Sequence, residues 1–75
     1  MQAKVNFTAV FEQVEDGFIA YIEELPGVNS QGDTVEEART NLLDALELFL
    51  ETRREMAEEE QASKKVIKEP IKLVA

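Results

Sequence analysis

Carboxylates are the only abundant side chains in this sequence that could do chemistry. Five of them recur three or four residues apart, at Asp44, Glu47, Glu51, Glu55 and Glu58, and this spacing places them along one face of a helix. Such a row can attract a cation. Acids opposite an apolar stripe are, however, typical of a solvated helix face, and we therefore expect no metal site here.

The side chains that usually carry out catalysis are missing. The chain has no histidine and no cysteine, which excludes disulfides and thiolate chemistry and removes the usual zinc ligands and the commonest general base. Ser30 and Ser63 have no evident base partner, and the glycine spacing from Gly27 to Gly32 lacks the Lys and Ser/Thr of a P-loop. The sequence predicts no enzyme, no catalytic residue and no cofactor.

The length of 75 residues suits one small domain, which we assign to residues 1–75. Ordering each residue costs roughly 1.5 kcal/mol, and burial in so small a core barely offsets this cost. Because disulfides and metals are not available to stabilise the fold, we expect a homo-oligomer, a dimer or a tetramer.

The charge is unevenly distributed. Residues 1–63 carry a net −11 and residues 64–75 a net +3, which gives the formal −8 of the whole chain. Such an acidic surface repels nucleic-acid phosphates, so we expect no direct nucleic-acid binding and favour a basic protein partner. The alternative is that the acidic residues only keep a small domain soluble and recognise no partner. With no signal peptide and no membrane span expected, the cytoplasm is the default location.

Two apolar runs predict a β-hairpin. Residues 5–12 alternate with period two, Asp16-Gly17 is a strong type I′ turn signal, and residues 18–22 form a second run. A two-residue turn at Asp16-Gly17 places Phe11 opposite Ile22 and Gln13 opposite Ala20. One face of the hairpin then collects Phe7, Ala9, Phe11, Phe18, Ala20 and Ile22.

The other face of the hairpin carries Val10, Val14, Ile19 and Tyr21. These residues are too apolar for a surface left entirely to water, and a second subunit is the obvious candidate to cover them.

The remaining elements are a short strand, a long helix and a terminal strand. Residues 28–31 fit a third strand, and Thr34 with Glu37 forms a capping box before an apolar stripe interrupted only by Arg53. A helix from Val35 to about Glu60 would be about 39 Å long against about 27 Å for a strand, so its C-terminal end should overhang the sheet. Residues 66–74 suggest a broken strand that Pro70 confines to an edge.

These elements predict an α+β fold with two layers. A three-stranded antiparallel sheet, made of the hairpin plus the short third strand, packs on one long helix, and a C-terminal edge strand follows.

Two tripeptides at a fixed spacing carry a family resemblance. Leu25-Pro26-Gly27 makes a corner, and Gly32-Asp33-Thr34 leads into a helix that begins Val-Glu-Glu-Ala and continues with Ala-Leu. Residues 5–51 resemble the N-terminal domain of the HicB family of antitoxins. We interpret these six positions as fold-determining and not as a reactive centre.

The resemblance implies a stand-alone antitoxin that binds and neutralises a HicA-like toxin, a small basic mRNA-cleaving protein, by occluding its active surface. It also implies association into dimers or tetramers. Full-length HicB proteins continue into a DNA-binding domain, whereas this chain ends at Ala75, so operator binding is not expected. The alternative is an orphan homo-oligomeric module that binds another protein or a small ligand. The residues that would contact a toxin stay open between the acidic helix face and the mixed-charge tail.

Overall fold

The computed structural model describes residues 7–71, which form three strands and one helix. In chain order these are β1 (Ala9–Val14), β2 (Gly17–Ile22), β3 (Asn29–Gly32) and α1 (Val35–Gln61). The strands form one antiparallel sheet in the order β1-β2-β3. This arrangement confirms the predicted α+β fold of a three-stranded sheet and one long helix. β1 starts later than predicted; residues 5 and 6 lie outside the described residues.

The predicted hairpin register is wrong by two residues. Phe11 pairs with Ala20 and not with Ile22, and Gln13 pairs with Phe18 and not with Ala20. Because side chains alternate with period two along a strand, a shift of two residues leaves each side chain on its predicted face. The division of the hairpin into two faces therefore survives the error.

The physical reason lies in the turn. Glu15 and Asp16 connect the strands, and Gly17 is already the first residue of β2, with φ of +143°. A type I′ turn at Asp16-Gly17 needs positive φ at both residues, and among the described residues only glycines have it. Gly17 therefore follows the turn and does not form part of it.

The helix begins where the sequence predicts. The amide of Glu37 donates to the Thr34 hydroxyl at 3.1 Å, which confirms the cap. The Glu37 carboxylate reaches back one residue further than expected and accepts from the amide of Asp33 at 2.8 Å. The first contact satisfies an N–H group in the first turn of α1 that would otherwise have no partner, and the second fixes the residue before the cap.

A small apolar core joins the helix to one face of the sheet. Its fully buried members come from β2, from the residue before β3 and from the first two turns of α1, and they are Ala20, Ile22, Val28, Ala38 and Leu42. Partly buried apolar side chains from β1, β2, the connection after β2 and the middle of α1 pack around them.

The second half of α1 projects beyond the sheet. Its 27 residues span about 40 Å, yet no residue after Leu42 is fully buried. The radius of gyration is 16.0 Å, whereas a compact chain of this length would have about 11 Å. The predicted overhang is confirmed. Arg53, the one charge in the apolar stripe, stacks over the Phe49 ring at 5.5 Å.

The C-terminal segment lies apart from the sheet. Residues 66–71, the described part of the predicted terminal strand, form no strand, and residues 72–74 lie outside the described residues. The segment follows the overhanging end of α1 and pairs with neither edge strand of the sheet, and Pro70 has no N–H to donate to a ladder. Ile67 and Ile71 are each 91% exposed as a result.

Candidate functional site

One face of the sheet is open. Val10 pairs with Tyr21 across the hairpin, and Ile19 and Val14 lie on the same side, while α1 packs against the opposite side. Val14 is 40% and Tyr21 39% exposed. No element within residues 7–71 covers this face. We call the surface formed by its four apolar side chains the open sheet face: Val10, Val14, Ile19 and Tyr21.

The Leu25-Pro26-Gly27 corner turns the chain from β2 into β3. The amide of Leu25 donates to the carbonyl of Ile22 at 3.2 Å, and the amide of Val28 donates to the carbonyl of Leu25 at 3.2 Å. Leu25 packs against the core, whereas Pro26 and Gly27 are exposed, and Gly27 has φ of +98°. The corner borders a groove of about 650 Å³ that extends along β2 and β3.

The Gly32-Asp33-Thr34 segment brings β3 against the helix start. A Cβ added at Gly32 would lie 2.6 Å from the amide nitrogen of Ala38 and 2.9 Å from the Cβ of Glu37. Only a residue without a side chain permits this close approach. Five of the six motif positions thus lie in the two connections that flank β3, and the sixth, Gly32, is the last residue of that strand. Asp33 donates its backbone amide to Glu37.

An acidic groove of about 660 Å³ lies where the hairpin tip meets the start of α1. Val14 and Ile19 of the open sheet face contribute to its lining, which also contains four acids: Glu15, Asp16, Asp33 and Glu37. No lysine or arginine is among its lining residues. The hairpin end of the open sheet face is therefore both apolar and negatively charged.

Two polar residues tie the helix to β3, a role that reasoning from the sequence missed. The Ser30 hydroxyl donates to the carbonyl of Ala38 at 2.8 Å, and the Asn41 side-chain amide donates to the carbonyl of Gln31 at 2.9 Å. From the sequence, Ser30 is of interest only as a nucleophile. Its place on the same side of the sheet as Ala20, its partner on β2, is the signal that could have indicated a structural role.

The five acids of the predicted helix row are all exposed. Asp44, Glu47, Glu51, Glu55 and Glu58 extend over about 21 Å of α1 on the side away from the core. We call them the acidic helix row. Among residues 7–71, no three His, Cys, Asp or Glu side chains are placed to hold a metal ion.

Two leucines lie beside the acidic helix row. Leu43 is 54% and Leu48 is 65% exposed, which is unusual for large apolar side chains on a helix that has a core stripe on its other side.

One carboxylate has a shifted pKa. Thr8 donates to Glu24 from its hydroxyl at 2.6 Å and from its amide at 2.7 Å. These hydrogen bonds to the charged form lower the pKa of Glu24 below its ordinary value of 4.5. The contact ties the chain before β1 to the chain after β2, which is a structural role.

No helix in the described part of the chain is long and apolar enough to cross a membrane.

Comparison with known proteins assigns the family. A family model described as UPF0150-like matches residues 7–58, which include all three strands, both motif tripeptides and most of α1. The chain belongs to the UPF0150 family. No protein of known structure matches it significantly.

Three curated UPF0150 proteins are similar to this chain over 42 to 53 residues. One from Synechocystis is 45% identical over 53 residues, which cover 69% of this chain and 74% of that protein. A second from Synechocystis is 42% identical over 48 residues, and one from Helicobacter pylori is 45% identical over 42 residues. The chain spans about three fifths of these last two relatives, at 61% and 58% of their lengths.

Proposed function

We propose that this UPF0150 protein is an antitoxin-type binding protein of the HicB kind. It binds and neutralises a small, basic, HicA-like RNase by occluding its active surface, and it catalyses no reaction itself. The proposal rests on family membership together with the Leu-Pro-Gly and Gly-Asp-Thr motifs. It acts in the cytoplasm, where an mRNA-cleaving partner would have its substrate.

The observation that carries this proposal is the acidic helix row with Leu43 and Leu48 beside it. Five carboxylates on one exposed face create a negative potential that attracts a basic protein and accelerates encounter. The two exposed leucines supply apolar area that a partner can bury, at roughly 25 cal/mol per Å² removed from water. An RNase surface that binds RNA phosphates is basic, so its active surface is complementary to this row.

The negative charge also disfavours direct binding of nucleic acid. Apart from Arg39, Arg53, Arg54 and Lys4, the first 63 residues carry no positive side chain. Phosphate binding requires clustered bases that release counterions. The chain therefore acts on the RNase and not on its RNA substrate.

A second candidate is an orphan homo-oligomeric module that binds another protein or a small ligand. The open sheet face favours it, because four apolar side chains on one sheet surface form the kind of patch that marks an interaction site. The two candidates differ in whether a toxin partner exists.

Co-expression with the neighbouring gene product separates them. This chain is expressed together with a basic protein of HicA size encoded in the adjacent reading frame, and growth and co-purification are measured. The antitoxin proposal expects growth arrest by the neighbour alone, relief by this chain, and a complex that survives purification. If the neighbour arrests growth and this chain neither relieves the arrest nor co-purifies, the antitoxin proposal is wrong.

Two pairs of charge reversals test whether the acidic helix row makes the contact. A variant with Glu47→Lys and Glu51→Lys reverses two members of the acidic helix row, whereas Glu23→Lys with Glu60→Lys reverses two exposed acids that lie outside it. Relief should be lost with the first pair and kept with the second.

A further inference from the structure

The C-terminal segment after α1 combines exposed apolar and basic side chains. We call residues 64–71 the basic tail; it carries Lys64, Lys65 and Lys68 and a single acid. Ile67 and Ile71 are each 91% exposed, and Val66 is 47% exposed. Large aliphatic side chains exposed in this number form apolar area that a partner surface can bury.

The open sheet face has the complementary properties. It offers apolar side chains at Val10, Val14, Ile19 and Tyr21, and carboxylates surround its hairpin end in the acidic groove. In an extended chain Ile67 and Ile71 lie about 13 Å apart, the same distance as Val10 and Val14 on β1. Charge sign and apolar content are therefore complementary between the tail and this face.

The three lysines of the tail cannot reach the acidic groove of their own molecule. The groove contains Glu37 in the first turns of α1, and Glu37 lies about 36 Å from the end of the helix at Gln61. Lys68 follows Gln61 by seven residues, which reach at most about 25 Å when fully extended. Lys64 and Lys65 reach still less far, so the tail that meets the groove must come from another molecule.

We propose that the basic tail of one molecule docks on the open sheet face of a second copy, with its lysines beside the acids of the hairpin end. When two copies lie antiparallel, the C-terminal end of each α1 comes beside the N-terminal end of the other. The tail of each molecule then lies on the open sheet face of the other, so the two contacts are equivalent and the dimer is closed. This assembly is independent of whether an RNase partner exists.

Disulfide trapping tests the contact directly, because the chain has no natural cysteine. The double variant Val14→Cys/Ile67→Cys places one thiol on the face and one on the tail, at positions that are 40% and 91% exposed. Mild oxidation should give a covalent dimer on a non-reducing gel. A disulfide within one chain, or no disulfide above the level of a Leu48→Cys/Ile67→Cys control, would overturn the proposal.

Charge reversal with rescue provides the second measurement. Sedimentation of the full chain should show a dimer that the Lys64→Glu/Lys65→Glu/Lys68→Glu variant loses, with a dissociation constant roughly tenfold or more weaker, since three ion pairs are reversed. The Lys→Arg variant at the same positions should stay dimeric. Mixing the reversed tail with a Glu15→Lys/Asp16→Lys variant should restore a mixed dimer.

Two outcomes of the sedimentation experiment contradict the proposal. The first is a wild-type monomer at micromolar concentration. The second is a dimer that the reversed tail leaves unchanged, which would show that the copies associate through another surface. Circular dichroism of each variant, matching that of the wild type, establishes that a lost dimer reflects a lost contact and not a lost fold.

Discussion

Replacing Gly32 by alanine tests how closely β3 approaches the helix. The added Cβ would lie 2.6 Å from the amide nitrogen of Ala38 and 2.9 Å from the Cβ of Glu37. The first of these is a backbone atom in the first turn of α1, so the helix start must move away from β3. That movement also loosens the 2.8 Å hydrogen bond from Ser30 to the carbonyl of Ala38.

The expected cost of Gly32→Ala follows from these contacts. Overpacking a tight site costs about 1–3 kcal/mol, and we expect about 2 kcal/mol because a backbone atom must move. A domain of this size has a free energy of unfolding of roughly 4–11 kcal/mol. The melting temperature should therefore fall by about 8–16 °C.

Gly27→Ala is the matched control. Gly27 has φ of +98°, and a Cβ there would meet no atom within 4 Å, so the cost is the backbone conformation alone, about 1 kcal/mol. Urea unfolding followed by circular dichroism, at one protein concentration, measures both variants. If Gly32→Ala is no more destabilising than Gly27→Ala, the close packing of β3 on α1 is not what glycine at position 32 provides.

Three further predictions concern the cap, the core and the pH dependence. Thr34→Ala removes the hydroxyl that caps the amide of Glu37 and should lower the free energy of unfolding by about 1 kcal/mol in urea melts, while Thr34→Ser should lower it by less. Leu42→Ala empties a position that is 3% exposed and should cost about 2–5 kcal/mol, whereas Leu48→Ala, at a position 65% exposed, should leave the urea midpoint within a few tenths of a molar. Because the pKa of Glu24 is lowered, its hydrogen bonds with Thr8 stabilise the fold above pH 4.5, and this stability is lost as pH falls below that value. Thr8→Val should make the free energy of unfolding less dependent on pH in this range. If the dependence does not change, Glu24 is not its cause.

Local signals predict most of this fold because each is strong where it occurs. Thr34 and Glu37 mark the helix start to the residue, and alternation assigns Val10 and Tyr21 to the open face even though the predicted register is wrong. The error arises because Asp16-Gly17 has the composition of a turn, whereas the turn itself is Glu15-Asp16. Glu15 gives no turn signal of its own, because its φ is negative and turn positions with negative φ accept most residue types.

Tertiary geometry accounts for what the sequence did not predict. Residues 66–71 have the composition of a strand, but they follow the overhanging end of α1 and remain exposed. Strand propensity acts through packing against neighbouring strands, which this segment lacks within the described residues. The contacts of Ser30 and Asn41 with the backbone depend on how closely β3 and α1 approach. No local pattern encodes that approach apart from the glycine at position 32.

Inhibition of the RNase by this chain is the most direct test of the proposed function. Cleavage of an RNA substrate by the basic protein encoded beside this gene is titrated with the wild type, with Glu47→Gln/Glu51→Gln/Glu55→Gln, and with Glu12→Gln/Glu23→Gln/Glu60→Gln as a control of equal charge. We expect stoichiometric inhibition by the wild type and the control. When the acidic helix row is neutralised, inhibition should be at least about tenfold weaker than that by the wild type. Cleavage that continues unchanged at a molar excess of the wild-type chain would contradict the account.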